Sequence, residues 1–227
     1  MHNNLIALLE NDCEEAIKSC NNLESLKDQS IFVTGATGYI GKWLLYFFYF
    51  LNKNHDYNLT VHAVSRDFSR LEVEHPNLWQ QCGFYFTEDD VTHSVNIPKD
   101  STWIVHLAGT PDSRKIMSSP IEVMKTITQG TLNLFESIEL RNDINKILNF
   151  TSAYIYGYQT TKTLEENIYL STSCINLMAP YIEAKRSSET LSNIFIKQFG
   201  LPIINVQPYA FIGPMMDISI PWAINNF

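Results

Sequence analysis

Tyr181 and Lys185 stand four residues apart in the stretch "YIEAK". The surrounding segment, residues 179–200, is patterned as one long helix closed by Gly200. On a helix that spacing puts both side chains on one face. A lysine cation beside a phenol favours the phenolate and draws the tyrosine pKa down from its ordinary value of about 10. A tyrosine tuned in this way can take a proton from a hydroxyl or give one to a ketone. Ser152, in "TSAYIYG", directly follows an apolar run that reads as a strand. Its hydroxyl, set across the same site, would hydrogen-bond the oxygen being worked on. A Tyr-x-x-x-Lys pair alone is equally consistent with two residues on a helix surface, so the elements around it must decide.

A second cluster precedes it in the chain. Thr34-Gly35-Ala36-Thr37-Gly38-Tyr39-Ile40-Gly41 ends one apolar run and opens another. At the junction of a strand and a helix, Gly35 makes the tight turn, Gly38 lets backbone approach a pyrophosphate, and Gly41 lets helix and strand pack closely. The helix N-terminus then offers free N–H groups and a positive dipole to the phosphates. The plain alternative is a glycine-rich turn with no ligand. The apolar and aromatic run that follows, Trp43 to Leu51, is nine residues long and bracketed by Lys42 and Lys53. A membrane-spanning helix needs about 20 residues, so the run reads as a buried core helix.

The elements that must position these groups alternate. Strands are expected at 30–35, 59–65, 83–88, 102–109, 146–152 and 202–210, and helices at 39–52, about 120–140 and 179–200. The strands are short continuous apolar runs, the mark of parallel strands covered on both faces. The fold class is α/β, a doubly wound parallel sheet of the Rossmann type. Residues 5–26 pattern as one or two short amphipathic helices. Residues 1–27 are therefore read as a helical lead-in, and residues 28–227 as the dinucleotide-binding domain with the start of a substrate region.

The spacing G-x-x-G-x-x-G, the pair Asp90-Val91 after the third strand, "HLAG" (106–109) at the end of the fourth, Ser152 after the fifth and YxxxK opening a helix occur in one order. In that order they resemble the extended branch of the short-chain dehydrogenase/reductase superfamily, and within it the NAD-dependent epimerase/dehydratase family, which acts on nucleotide-linked sugars. Tyr156-Gly157 and "FIGP" (211–214) fit two further elements of the pattern, and the resemblance covers about residues 28 to 227. It implies Ser152, Tyr181 and Lys185 as the catalytic group, with Tyr181 moving a proton while hydride moves to or from a nicotinamide. It implies a cofactor site of Gly35, Thr37, Gly38, Tyr39, Ile40 and Gly41 at the phosphates. Ser65, Arg66 and Asp67 would lie at the adenosine ribose, and Asp90 and Val91 beside the adenine. Leu107, Ala108 and Gly109 would line the cofactor's path, with Tyr181 and Lys185 at its far end. The cofactor is NAD or NADP. Ser65 holds the strand-end place where an acid would favour NAD, and Arg66 could meet a 2′-phosphate, which leans the reading to NADP. Asp67 could still reach a ribose hydroxyl, and a solvated Arg/Asp turn is the plain alternative. His106 is read as a structural histidine.

The sequence also departs from the family pattern. Dehydratases that eliminate water carry an Asp-Glu pair directly after the catalytic Ser or Thr, where this chain has Ala153 and Tyr154. That argues against this elimination. Gln207 and Ala210 stand where an Arg and an Asn commonly flank the "FIGP" element. The chain stops at Phe227, where family members continue into a small substrate domain. That domain is expected to be largely missing, and "ISIPWAINNF" (218–227) reads as an apolar end that more chain would cover.

Composition sets outer limits. Apolar residues make up 45% and charged residues 18%, ordinary for a globular protein, and the net charge is −8 with no basic run. A broad nucleic-acid face is excluded, and a membrane anchor is not expected. The four cysteines lack CxxC or Cys/His ligand spacing and read as reduced thiols of a cytoplasmic protein with no metal site. The N-terminus lacks the pattern of a signal peptide. The first reading is thus an NAD(P)-dependent epimerase or dehydratase-type oxidoreductase of a nucleotide sugar, in polysaccharide biosynthesis. The alternatives are an NADPH-dependent carbonyl reductase of a smaller substrate and a catalytically incomplete NAD(P)-binding module. Family dimers form through the catalytic helix, and its face Leu191, Ile194, Phe195 could serve a homodimer or the core.

Overall fold

Ile31, Phe32 and Val33 are apolar in succession, so a strand there must be covered on both faces. In the computed structural model, which describes residues 2–157, 165, 171–217 and 219, this stretch lies in β1 (Ser30–Thr34), buried at every position. Ahead of it stand α1 (His2–Ser19) and a 3-10 turn (Leu23–Leu26). After it come α2 (Tyr39–His55), β2 (Thr60–Ser65), α3 (Ser69–Glu74), α4 (Pro76–Trp79), β3 (Phe84–Glu88) and β4 (Ser101–His106). Then follow α5 (Ser113–Ser118), α6 (Pro120–Glu136), β5 (Lys146–Phe150), a 3-10 turn (Ala153–Tyr156), α7 (Ala179–Phe199) and β6 (Ile203–Val206). The six strands form one sheet in the order β3-β2-β1-β4-β5-β6, and every neighbouring pair is parallel. The sheet is doubly wound and Rossmann-like, as expected. Strand order reverses between β1 and β4, which opens a crevice at their carboxyl ends.

Alternation along β1 divides the core. Ile31 and Val33 join α2, β2 and α1 through Leu45, Leu51, Val61 and Leu9. Phe32 points the other way and joins Ile104, Leu134, Phe135 and Phe195 beneath α6 and α7. The aromatic run of α2 is core, with Tyr46, Phe48, Phe50 and Leu51 buried. Among the described residues no helix is long and apolar enough to cross a membrane. On α7, Phe195 and Leu191 pack into the second core, while Ile194 stays exposed.

The elements differ from the sequence reading mainly at their ends. The runs 102–109, 146–152 and 202–210 are paired as strands only over 101–106, 146–150 and 203–206. Helices α3, α4 and α5 were not foreseen, because elements of four to six residues are too short to show a periodicity. The expected apolar end at 218–227 lies, apart from Ser219, outside the described residues.

The lead-in helix shares the main core, and Cys13 marks this. Cys13 is buried while Cys20, Cys82 and Cys174 are exposed. Burial, with Asp12, Glu10 and Glu14 nearby, pushes the Cys13 thiol up to about 12. At pH 8 a thiol-specific reagent such as Ellman's should therefore modify Cys20, Cys82 and Cys174 in the folded chain, and Cys13 only after denaturant is added. Equal rates for all the cysteines would show that α1 is not docked.

Candidate active site

The crevice is built at the end of β1. Gly35 takes a left-handed φ of 66°, and a Cβ there would stand 2.8 Å from the backbone of Leu107 and Ala108. A Cβ on Gly41 would stand 2.6 Å from the carbonyl oxygens of Gly35 and Ala36. Both glycines are thus demanded by the chain's own packing. Gly38 is different. It precedes α2 in extended conformation, φ −67° and ψ 170°, with no side-chain cap. Its Cβ would meet only the Gly35 oxygen, at 3.2 Å. Backbone left bare beyond the needs of packing, at an uncapped helix N-terminus, suits an anion in close approach. Tyr39, Ile40 and Gly41 form the first turn of that helix.

The neighbouring strand ends lock onto this turn. Thr37 Oγ1 lies 2.6 Å from Ser65 Oγ at the end of β2. Thr34 Oγ1 accepts from the N–H groups of Leu107 and Ala108 at 3.3 and 3.4 Å. Gly109, with φ 144°, passes against Ile127 of α6 and the Lys185 ammonium. Asp67 accepts from the Ser69 N–H at 2.8 Å, and that bond lowers its pKa. Arg66 Nη1 donates to Glu122 at 2.6 Å. This existing partner gives no support to the lean towards NADP. Asp90 accepts from the Thr92 N–H at 2.9 Å. Burial raises the Asp90 carboxyl, but the bonds to Thr92 and the charges of Arg66 and His93 outweigh it and the net shift is down. Val91 is buried in the second core.

Ser152, Tyr181 and Lys185 come together as the sequence suggested. All are buried, at 4–5% exposure. Ser152 starts the 3-10 turn after β5, and its Oγ accepts from the Tyr154 N–H at 3.2 Å. It lies close enough to the Tyr181 phenol to pull that group's pKa down. Lys185 Nζ donates to the Phe150 carbonyl at 2.6 Å and sits 6.0 Å from the Tyr181 ring centre. One expectation fails. Tyr181 is held above its ordinary value, because burial, helped by Tyr154, outweighs the downward pull of Ser152. Burial also pulls Lys185 down to about 8. The lysine charge is bonded to a carbonyl over the ring's face, and it does not reverse the effect of burial on the phenol.

Sequence reading missed a buried polar ladder behind these groups. His106 Nδ1 lies 2.7 Å from Thr34 Oγ1, and its Nε2 lies 3.3 Å from Thr131 Oγ1. Thr131 meets Ser188 at 3.0 Å. Asn149 donates to Ser188 and Ser192 at 3.1 and 2.9 Å. Desolvation, with Lys185 nearby, holds His106 down to about 3, so it is neutral and structural as anticipated. The available signal was the series Tyr181, Lys185, Ser188, Ser192, which recurs every three or four residues on one face of α7.

Two outcomes follow. In urea unfolding, Gly35→Ala should cost at least about 2 kcal/mol, while Gly38→Ala should cost under about 1 kcal/mol; equal costs would mean that Gly38 too is demanded by packing. Lys185 is protonated in the unfolded chain up to about pH 10.4, but folded only to about 8. The unfolded state binds the extra proton in that window, so the lysine's contribution to stability rises with pH there. The unfolding free energy of the wild type relative to Lys185→Met should increase from about pH 8 to about pH 10. A flat difference would show that Lys185 titrates normally.

Comparison with known proteins agrees with this fold. Over 207 residues the chain is 28% identical to UDP-glucuronic acid decarboxylase 1 of Xenopus tropicalis, covering 89% of this chain and 46% of that protein. Over 198 residues it is 27% identical to UDP-glucuronic acid decarboxylase 6 of Arabidopsis thaliana, covering 87% and 55%. The chain thus spans about half the length of the curated relatives it matches. Among solved structures it resembles a UDP-N-acetylglucosamine 4-epimerase from Methanobrevibacter ruminantium in complex with UDP-N-acetylmuramic acid. The TM-score is 0.69 and the identity 22%, over 86% of this chain and 59% of that one. A UDP-glucuronic acid 4-epimerase from Bacillus cereus, in complex with UDP-glucuronic acid and NAD, gives 0.64 and 22% over 79% and 56%. At that identity the structures show the fold alone. Residues 31–227 match the profile of the NAD dependent epimerase/dehydratase family, and the chain belongs to that family.

Proposed function

We propose that this chain carries the NAD site and the acid–base group of an enzyme that oxidises and re-reduces a hydroxyl of a UDP-linked sugar. The observation that carries the reading is the burial together of Ser152, Tyr181 and Lys185, with the Lys185 ammonium 6.0 Å from the Tyr181 ring centre, at the carboxyl edge that also holds the glycine turn. The residues present fit NAD. The uncapped start of α2 and the bare Gly38 suit the pyrophosphate. Ser65, Asp67, Asp90, Val91, Leu107 and Ala108 would complete the adenosine side. When bound, NAD supplies the hydride acceptor and donor. NAD is favoured over NADP because Arg66 already pairs with Glu122 and the Bacillus cereus epimerase holds NAD.

In this reading Tyr181 moves the proton. Ser152 Oγ already accepts from the Tyr154 N–H, so its own proton is free to bond the phenol oxygen and favour the phenolate. Lys185, fixed by Phe150, keeps positive charge close to the ring. The tyrosine can then take the proton of a sugar hydroxyl and return it. The ring of Tyr154 packs edge-on against Tyr181 at 6.1 Å, in the place where water-eliminating relatives carry an acid. Epimerisation or decarboxylation therefore fits this site better than elimination of water. Ile121 and Met124 on α6 and Ile194 on α7 are exposed apolar residues that would suit a homodimer.

The test combines binding and turnover. NADH should quench tryptophan fluorescence more tightly than NADPH. With NAD present, UDP-glucuronic acid or a related UDP-sugar should turn over. Tyr181→Phe should cut that turnover by about 10²–10⁴ while the NADH affinity stays within about twofold. NADH binding without turnover of any UDP-sugar would reduce the chain to a cofactor-binding module. Turnover that survives Tyr181→Phe would remove the tyrosine from its role.

A further inference from the structure

A cleft of about 600 Å³ opens between α1, α2, the α3–α4 segment and residues 215–217. Its size is in the range of small-molecule sites, roughly 300–1,000 Å³. None of its walls belongs to the glycine turn or to the Ser152, Tyr181, Lys185 group. The lining is largely apolar and aromatic, with Leu5, Leu9, Tyr46, Tyr49, Leu78 and Met215. The charged groups in it are nearly all paired. Lys53 faces Glu10 at 3.6 Å, and Arg70 holds Glu74 at 3.0 Å and Asp217 at 3.3 Å.

Lys42 is the exception. Among the described lysines, arginines and acids of the cleft, it alone has no hydrogen bond or ion pair. It is half-buried on α2 directly after Gly41. Burial pulls its pKa below the ordinary lysine value. The carboxylates of Glu74 and Asp217, both held by Arg70, lie within electrostatic reach of it, but neither bonds it and burial prevails. A partly desolvated cation without a direct partner is unfavourable, and an anion that bonds it relieves this. The walls in turn suit an apolar body.

We propose that this cleft binds an organic carboxylate with an apolar body, its acid group on Lys42 and its hydrocarbon between α1 and the tyrosines of α2. The site is independent of the proposed reaction. Decanoate is a suitable probe, with decanol as its uncharged control, both followed by calorimetric titration of the whole chain. Decanoate should saturate one site and bind at least about tenfold more tightly than decanol. Lys42→Met keeps the length of the side chain and removes a half-buried charge that makes no hydrogen bond or ion pair, so it should fold with an unchanged or higher melting temperature. It should bind decanoate no better than decanol, whereas Lys42→Arg should retain binding. Equal binding of decanoate and decanol by the wild-type chain overturns the proposal without any variant. So does the absence of saturable decanoate binding, or a Lys42→Met chain that binds decanoate as tightly as wild type.

Discussion

The structure turns on one backbone contact, where the turn after β1 presses against the end of β4. At Gly35 a single added carbon would meet the Leu107–Ala108 peptide at 2.8 Å. The contact holds the two strands on either side of the order reversal at one height. Thr34 ties it from within, accepting from two N–H groups of the opposing strand end. With that height set, Gly41 lets α2 settle on the turn, and the helix starts where its free N–H groups face the crevice. The helix that opens at a phosphate site and the aromatic wall that buries it are then one element. Tyr46, Phe48 and Phe50 cannot shift outward without dragging the turn with them.

The second half of the site is joined to the first through polar groups in an apolar interior. A neutral histidine, two hydroxyls and an asparagine run from Thr34 to α7 between two hydrophobic clusters. Such groups are costly when unpaired and specific when satisfied, because each accepts only one arrangement of partners. Leucines at these places would pack α7 in several registers. The ladder selects the one in which Ser188 faces Asn149, and that register carries Lys185 to Phe150 and Tyr181 to Ser152.

Much of this was legible in the chain, for a physical reason. The strands of a parallel sheet are apolar on both faces, so they stand out as short unbroken runs. The glycines stand out because packing tolerates nothing larger. Tyr181, Lys185 and Ser152 could be named because the order of motifs along the chain resembles that of a known family; spacing alone left a pair on a helix surface equally open. What stayed hidden was whatever depends on contacts between distant elements. Arg66 looked free for a phosphate because nothing in "SRD" announces Glu122, 56 residues later. The strand ends were misjudged because Leu107 and Ala108 are still apolar, and Thr151 is a β-branched residue, where the ladder has already stopped.

The sign of the Tyr181 shift is the most instructive of these differences. Spacing alone puts a cation beside a phenol and predicts a lowered pKa, an argument that treats the pair as if it stood in water. In the fold both groups are buried, and burial favours the neutral form of each, raising the tyrosine and lowering the lysine. The lysine then bonds a carbonyl that is always present, instead of an oxygen that is charged only part of the time. Ser152 pulls Tyr181 towards the phenolate, while desolvation and the neighbouring Tyr154 push it back and prevail, so the phenol stays protonated until added positive potential at the crevice lowers it. A phenol already ionised at rest would be a permanent base in a closed site. One that needs the crevice filled before it ionises is coupled to whatever fills it.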